Sequence, residues 1–140
     1  MKFFYKIWID TILFEKSKNL NDNSWKGFSL SIMSLLLGIN IATVYAIFIL
    51  FGIDVITFVW MKLSFIENSA IKNVCWSILM MFIPAFFINY FLVFYNNRFY
   101  ALMVKYQPAG TKKGGLLRRY FIVTFLVFFG INLLKKLISN

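Results

Sequence analysis

Two stretches of this chain carry no charged side chain. Phe28 to Phe51, FSLSIMSLLLGINIATVYAIFILF, is 24 residues long, and Val74 to Tyr95, VCWSILMMFIPAFFINYFLVFY, is 22. About 20 consecutive apolar residues cross a bilayer as a helix. In hydrocarbon every backbone N–H and C=O must be bonded within its own segment, which selects helix over irregular chain. Composition agrees, with 61% of the 140 residues hydrophobic, 21% aromatic and 14% charged. Soluble domains carry about a quarter charged residues, and a globule this small has too little interior to hide so much Phe, Ile and Leu.

A third run, Tyr120 to Leu134, has only 15 uncharged residues, about 22 Å as a helix. It reaches both surfaces if Arg118, Arg119, Lys135 and Lys136 snorkel, extending it from Leu116 to Ile138. The sequence therefore predicts an all-α integral membrane protein with three transmembrane helices, near residues 28–51, 74–95 and 116–138. Residues 53–66, IDVITFVWMKLSFI, contain Asp54 and Lys62 and are too few to span. They are assigned to a short interfacial or re-entrant helix after the first span. A four-span alternative needs a tight turn within residues 46–50, where no turn residue stands.

The N-terminus, MKFFYKIWIDTILFEK, begins like a secretory signal, but Lys6 and Asp10 interrupt it and no small-residue cleavage site follows. It is read as retained. On a helical wheel Phe3, Phe4, Ile7, Thr11 and Phe14 share one face, opposite Lys2, Lys6 and Asp10. Residues 1–24 are thus expected to form an amphipathic interfacial segment, with 25–140 as one polytopic membrane domain. The rival reading is a short helix packed on a partner protein.

Charge sets the expected orientation. The net charge is +10, and all five acids, Asp10, Glu15, Asp22, Asp54 and Glu67, lie in the first 67 residues. With three spans, eleven bases fall on one side, five before the first run and six in residues 96–119; four fall on the other. The positive-inside rule then places the N-terminus in the cytosol and the C-terminus outside. Abundant Phe, Ile, Asn and Lys fits an AT-rich bacterial genome, hence an inner membrane.

Residues 106–121, YQPAGTKKGGLLRRYF, pack three glycines, a proline and four bases together. A phosphate-gripping loop needs G-x-x-x-x-G-K-[ST] between a strand and a helix. Here Gly110 is followed by Thr111, Lys112, Lys113, Gly114 and Gly115, with Leu116 where a lysine should be. The stretch is read as a basic cytosolic loop, 96–119. Its bases Arg98, Lys105, Lys112, Lys113, Arg118 and Arg119 are expected against anionic lipid headgroups or an acidic partner. Nucleic acid is not expected. The aromatic-basic run at 96–107 is expected to continue the second span as a helix along the surface.

Within the first span, Ser34, Gly38, Ala42 and Ala46 recur every fourth residue, with Ser31 on the same side. Small side chains at this spacing let two helix backbones approach closely. Asn40 and Thr43 lie on the opposite face, so this helix needs neighbours on both sides. Asn89, Thr124 and Asn132 are further intramembrane polar groups, and Pro84 is expected to kink the second span. Interhelical hydrogen bonding explains these amides more simply than a transport path, because ion carriers place charges or histidines in the membrane.

The catalytic inventory is thin. There is no histidine, and Cys75 is the single cysteine, so no cofactor, metal site or catalytic group is expected. The function expected is that of a small non-catalytic membrane subunit or accessory factor. It would dock in a larger assembly, or on itself, through the small-residue face and the basic loop. The alternatives are an oligomeric pore of holin-like or toxin-like type, lined by Asn40, Asn89 and Asn132, and a lipid or small-solute carrier hinged at Pro84.

Overall fold

The structure, a computed structural model, describes residues 2–18, 24–53, 71, 75–106 and 114–138. The described residues are almost entirely helical, and none is in a strand. Helix α1 spans Lys2–Lys18 and α2 spans Ser24–Leu50. Helix α3, Ile83–Asn89, is flanked by π-helical turns at Ile78–Phe82 and Tyr90–Phe94. Helix α4 covers Arg98–Tyr106 and α5 covers Gly115–Ile138. Three described helices are long and apolar enough to cross a membrane: Ser24–Leu50, Cys75–Tyr106 and Gly115–Ile138. The expected helix at 53–66 falls outside the described residues except for Ile53, which is exposed.

Proline shapes the second of these helices. Pro84 has no N–H, so the carbonyl of Met80, four residues back, loses its α-helical donor. The turn before it widens, with the Ile83 amide bonded to the Ile78 carbonyl five residues back. Such π spacing keeps carbonyls occupied where water is absent. The chain stays helical over most of 96–107, as the sequence leads one to expect, but with a kink between the two helices. Asn96 (φ 51°, ψ 34°) and Asn97 (φ 55°) adopt left-handed backbone, which Asn tolerates better than most residues. The chain turns there, and α4 sets off in a new direction.

Helix α2 is central. It packs against the second helix on one side and α5 on another, with α1 across both. Ser34, Gly38 and Ala46 are buried on the side of α2 that faces the second helix. A Cβ on Gly38 would stand 3.4 Å from the Met81 carbonyl oxygen. The small-residue stripe is therefore spent inside the chain. Ala42 is half-buried, and Ser31 is exposed and lies off the contact.

The core is off-centre. Its buried residues are Ile7, Trp8, Ile9 and Ile12 of α1, Trp25, Leu30, Met33 and Leu36 of α2, then Val93 and Phe99. These cluster at the end where α2 and α5 begin, which also carries Lys2, Lys6, Lys16, Lys18, Lys26, Arg98, Lys105, Arg118 and Arg119; it is called the basic end below. Toward the other end the helices show mostly exposed Leu, Ile, Val and Phe, and in α5 only Thr124 is buried.

Candidate functional site

At the basic end α1 touches each of the other helices in turn. Tyr5 stacks on Tyr106 of α4 at 5.6 Å between ring centres. Trp8 meets Phe94 edge to face at 5.6 Å. Phe94 and Phe99 lie 5.8 Å apart, and Phe99 meets Trp25 at 5.4 Å. Lys16 places its ammonium 4.5 Å from the Trp25 ring, and Lys26 lies 5.6 Å from Phe99. Edge-to-face rings and cations over ring faces are each worth about 0.5–1.5 kcal/mol beyond their burial. This aromatic chain locks α4 and the start of α2 onto α1.

Helix α1 departs from the simple amphipathic pattern. Ile7 through Ile12 are all buried, and Asp10, assigned to the polar face by the sequence reading, is 1% exposed. Its carboxylate lies at the N-terminus of α5. Oδ1 accepts the Gly114 amide at 2.9 Å, and Oδ2 accepts those of Leu116 and Leu117 at 2.8 and 3.0 Å. The first amides of a helix lack internal partners and carry the positive end of its dipole. Asp10 supplies the capping anion from more than a hundred residues away. Gly114, Leu116 and Leu117 at the end of the basic loop thus bind a carboxylate of their own chain. Gly114 has φ +83°, and a Cβ there would stand 2.8 Å from Cδ2 of Phe14. Only glycine combines that backbone with so close an approach.

A second polar link lies deeper. Trp8 donates from Nε1 to Oδ1 of Asn89 at 3.2 Å, and Asn89 donates from Nδ2 to the Ser34 hydroxyl at 3.4 Å. Asn89 and Ser34 are fully buried. This ties α1, α2 and α3 at one point. Thr11 donates to the Ile7 carbonyl at 2.9 Å and abuts Met33. Glu15, 5% exposed, pairs with Lys18 at 3.4 Å, the one ion pair among the described residues.

The other polar residues singled out in the sequence also have partners, whereas Ser29 Oγ and Trp76 Nε1 are buried without a hydrogen-bond partner among the described residues. Asn40 donates from its amide to the Tyr120 hydroxyl, which has Thr124 as a further side-chain partner. Thr43 donates to the Ile39 carbonyl and Asn132 to the Phe128 carbonyl, each at 2.8 Å within its own helix. Asn132 is exposed. The structure therefore brings Asn89 and Ser34 together, and Asn40 with Tyr120, but leaves Asn40, Asn89 and Asn132 on three separate contacts.

Of the six bases assigned to a surface contact, Arg98, Lys105, Arg118 and Arg119 are exposed, and Lys112 and Lys113 lie outside the described residues. Cys75 is a free thiol at intermediate burial. No group of three or more metal-ligating side chains occurs among the described residues. The sequence reading passed over Trp8 and Tyr120 as partners. It also misplaced Asp10, although a lone acid with Trp8, Ile9, Thr11 and Ile12 around it has apolar neighbours on every side.

An open apolar groove runs along α2, facing α5 near the basic end and the second helix farther along. Near the basic end a hollow of about 540 Å³ is lined by Phe14, Ile32, Leu35, Leu117, Arg118 and Phe121, among others. A second, about 300 Å³, follows along α2 and shares Leu35 with the first. It lies between α2 and the second helix, bounded by Gly38, Ala42, Ile78, Met81 and Phe82, with Phe128 from α5.

Comparison with protein-family models, with curated proteins and with solved structures found no match to this chain.

Proposed function

We propose that this chain is a small non-catalytic component of a larger membrane assembly, acting through contacts. The observation that supports this reading is the destination of its buried polar side chains. Asn89, Ser34 and Trp8 bond one another, Asn40 bonds Tyr120, and Asp10 caps α5. These polar groups are spent on holding helices together, and of the buried polar atoms among the described residues Ser29 Oγ and Trp76 Nε1 lack a hydrogen-bond partner. What stays open is an apolar exterior, most of all on α5, where Phe121, Ile122, Leu126, Phe129 and Leu133 are exposed.

This reading moves the docking surface. The small-residue face of α2 is covered by the second helix, so a partner would meet α5 or the basic end instead. In this arrangement the basic end faces the cytosol of a bacterial inner membrane, following the distribution of Lys and Arg. There α1 and α4 lie along the membrane surface, and the C-terminus is outside. The same bonds weigh against the water-lined pore, since its three amides already have partners.

Purification of the tagged full chain in mild detergent, with mass determination of every co-purifying protein, tests the proposal. A stoichiometric second membrane protein is the expected result. A homo-oligomer that makes vesicles leak dye would replace it with the pore reading, and a lone monomer would count against it.

A further inference from the structure

We infer that the groove along α2 is a seat for one acyl chain of an anionic phospholipid, with the phosphate held by Arg118. The inference deepens the membrane-surface part of the reading above and rests on it only for orientation. Its first support is shape. From Ile32 to Ala42 the groove follows α2 for ten residues, about 15 Å. That is the depth of one leaflet of a hydrocarbon core about 30 Å thick. The two hollows, about 540 and 300 Å³, meet at Leu35 and open along one side, and a single unbranched hydrocarbon chain is thin enough to lie along them.

Charge is the second support. The walls are apolar along their length, with Leu35 52% and Phe121 44% exposed, and the exposed Arg118 lines the groove near the basic end. No carboxylate among the described residues pairs with it, because Lys18–Glu15 is the one ion pair there. The α5 N-terminus beside it is already occupied, since Gly114, Leu116 and Leu117 donate to Asp10. Arg118 is thus the group in the groove free to meet a phosphate, and a guanidinium presents paired donors suited to one. An apolar furrow one leaflet deep with a cation at its surface end matches an anionic lipid on both counts.

The test uses the full chain in phosphatidylcholine nanodiscs containing a minor fraction of phosphatidylglycerol with a photoreactive diazirine in its acyl chain. After irradiation, labelled residues are mapped by mass spectrometry. The expected label on Leu35, Ile39, Phe121 and Phe128 is several-fold above that on Ile122, Leu126 and Phe129, which lie outside the groove. Arg118→Gln should lower it about fivefold, the effect of about 1 kcal/mol per base, while Arg98→Gln leaves it unchanged. Leu35→Trp, which fills the furrow, should displace it without touching the arginine. Even labelling of all apolar surfaces, equal labelling by a phosphatidylcholine probe, or equal loss in Arg98→Gln and Arg118→Gln would each overturn the seat. Labelling is read on the isolated chain, so it is independent of whether a protein partner co-purifies.

Discussion

The Asp10 carboxylate receives the backbone amide of Leu116 at 2.8 Å, joining the middle of the first helix to the start of the last. Two further amides share that carboxylate. Without it the first turn of α5 would present donors to a partly buried, apolar setting. Asp10→Ala is therefore expected to destabilise the fold by about 2 kcal/mol, the upper range for a helix cap. Asp10→Asn, which keeps an acceptor and loses the charge, should cost less. Thermal melting in detergent measures both, and an unchanged Asp10→Ala midpoint would remove the cap from the account.

Gly114→Ala meets two separate penalties. The left-handed backbone costs a non-glycine residue about 1–2 kcal/mol, and the new methyl would press on the Phe14 ring at 2.8 Å. Pairing it with Phe14→Leu should recover the steric part and leave the backbone part. Equal melting midpoints for the single and double variants would show that the ring contact carries no strain.

At Gly38 the outcome depends on size. An added Cβ stands 3.4 Å from the Met81 carbonyl oxygen, ordinary contact, so Gly38→Ala should change stability by less than about 1 kcal/mol. Gly38→Leu should force the second helix away from α2 and cost about 1–3 kcal/mol. Loss of melting temperature in the isolated chain places this contact within the monomer. A Gly38→Leu chain that melts normally but loses a protein partner would return the face to docking.

Trp8→Phe and Asn89→Leu both break one hydrogen bond, so their costs should not add. Interhelical bonds in membranes couple by about 0.6 kcal/mol on average and up to about 1.7, and the buried Trp8–Asn89 pair should fall in that range. A double-mutant cycle by melting or denaturant titration reads the coupling. Strict additivity would mean that the pair contributes nothing beyond its packing.

Asn40→Leu and Tyr120→Phe should each weaken α2–α5 packing by about 0.6 kcal/mol, with no effect on vesicle permeability. Dye release from reconstituted vesicles is the readout. Leakage by the wild-type chain that Asn40→Leu abolishes would restore the pore reading.

The three long apolar helices were legible because each is a property of consecutive residues. An uncharged run such as 28–51 carries its reason within itself, since hydrocarbon demands that a segment satisfy its own backbone. The small-residue stripe was legible for a similar reason, as local chemistry with one dominant consequence. The stripe said that something must come close, and left open what. Met81 fills that place, a pairing no periodicity encodes.

Asp10 was misread on the same ground. A helical wheel sorts side chains by a single polar–apolar division, which holds only when one face meets water. Helix α1 instead crosses the end of the bundle, so Asp10 finds neither water nor lipid but the open amides of α5. The helical character, the number of long apolar segments and the concentration of positive charge were determined by sequence alone, because each is summed over neighbours in the chain. Tertiary structure alone decided that the middle of α1, Ile7 to Ile12, is buried, that Trp8 finds Asn89, that Asn40 finds Tyr120, and that the Gly114 turn closes on a carboxylate. Those contacts join residues some eighty to a hundred positions apart. They exist because the first helix lies where the others begin.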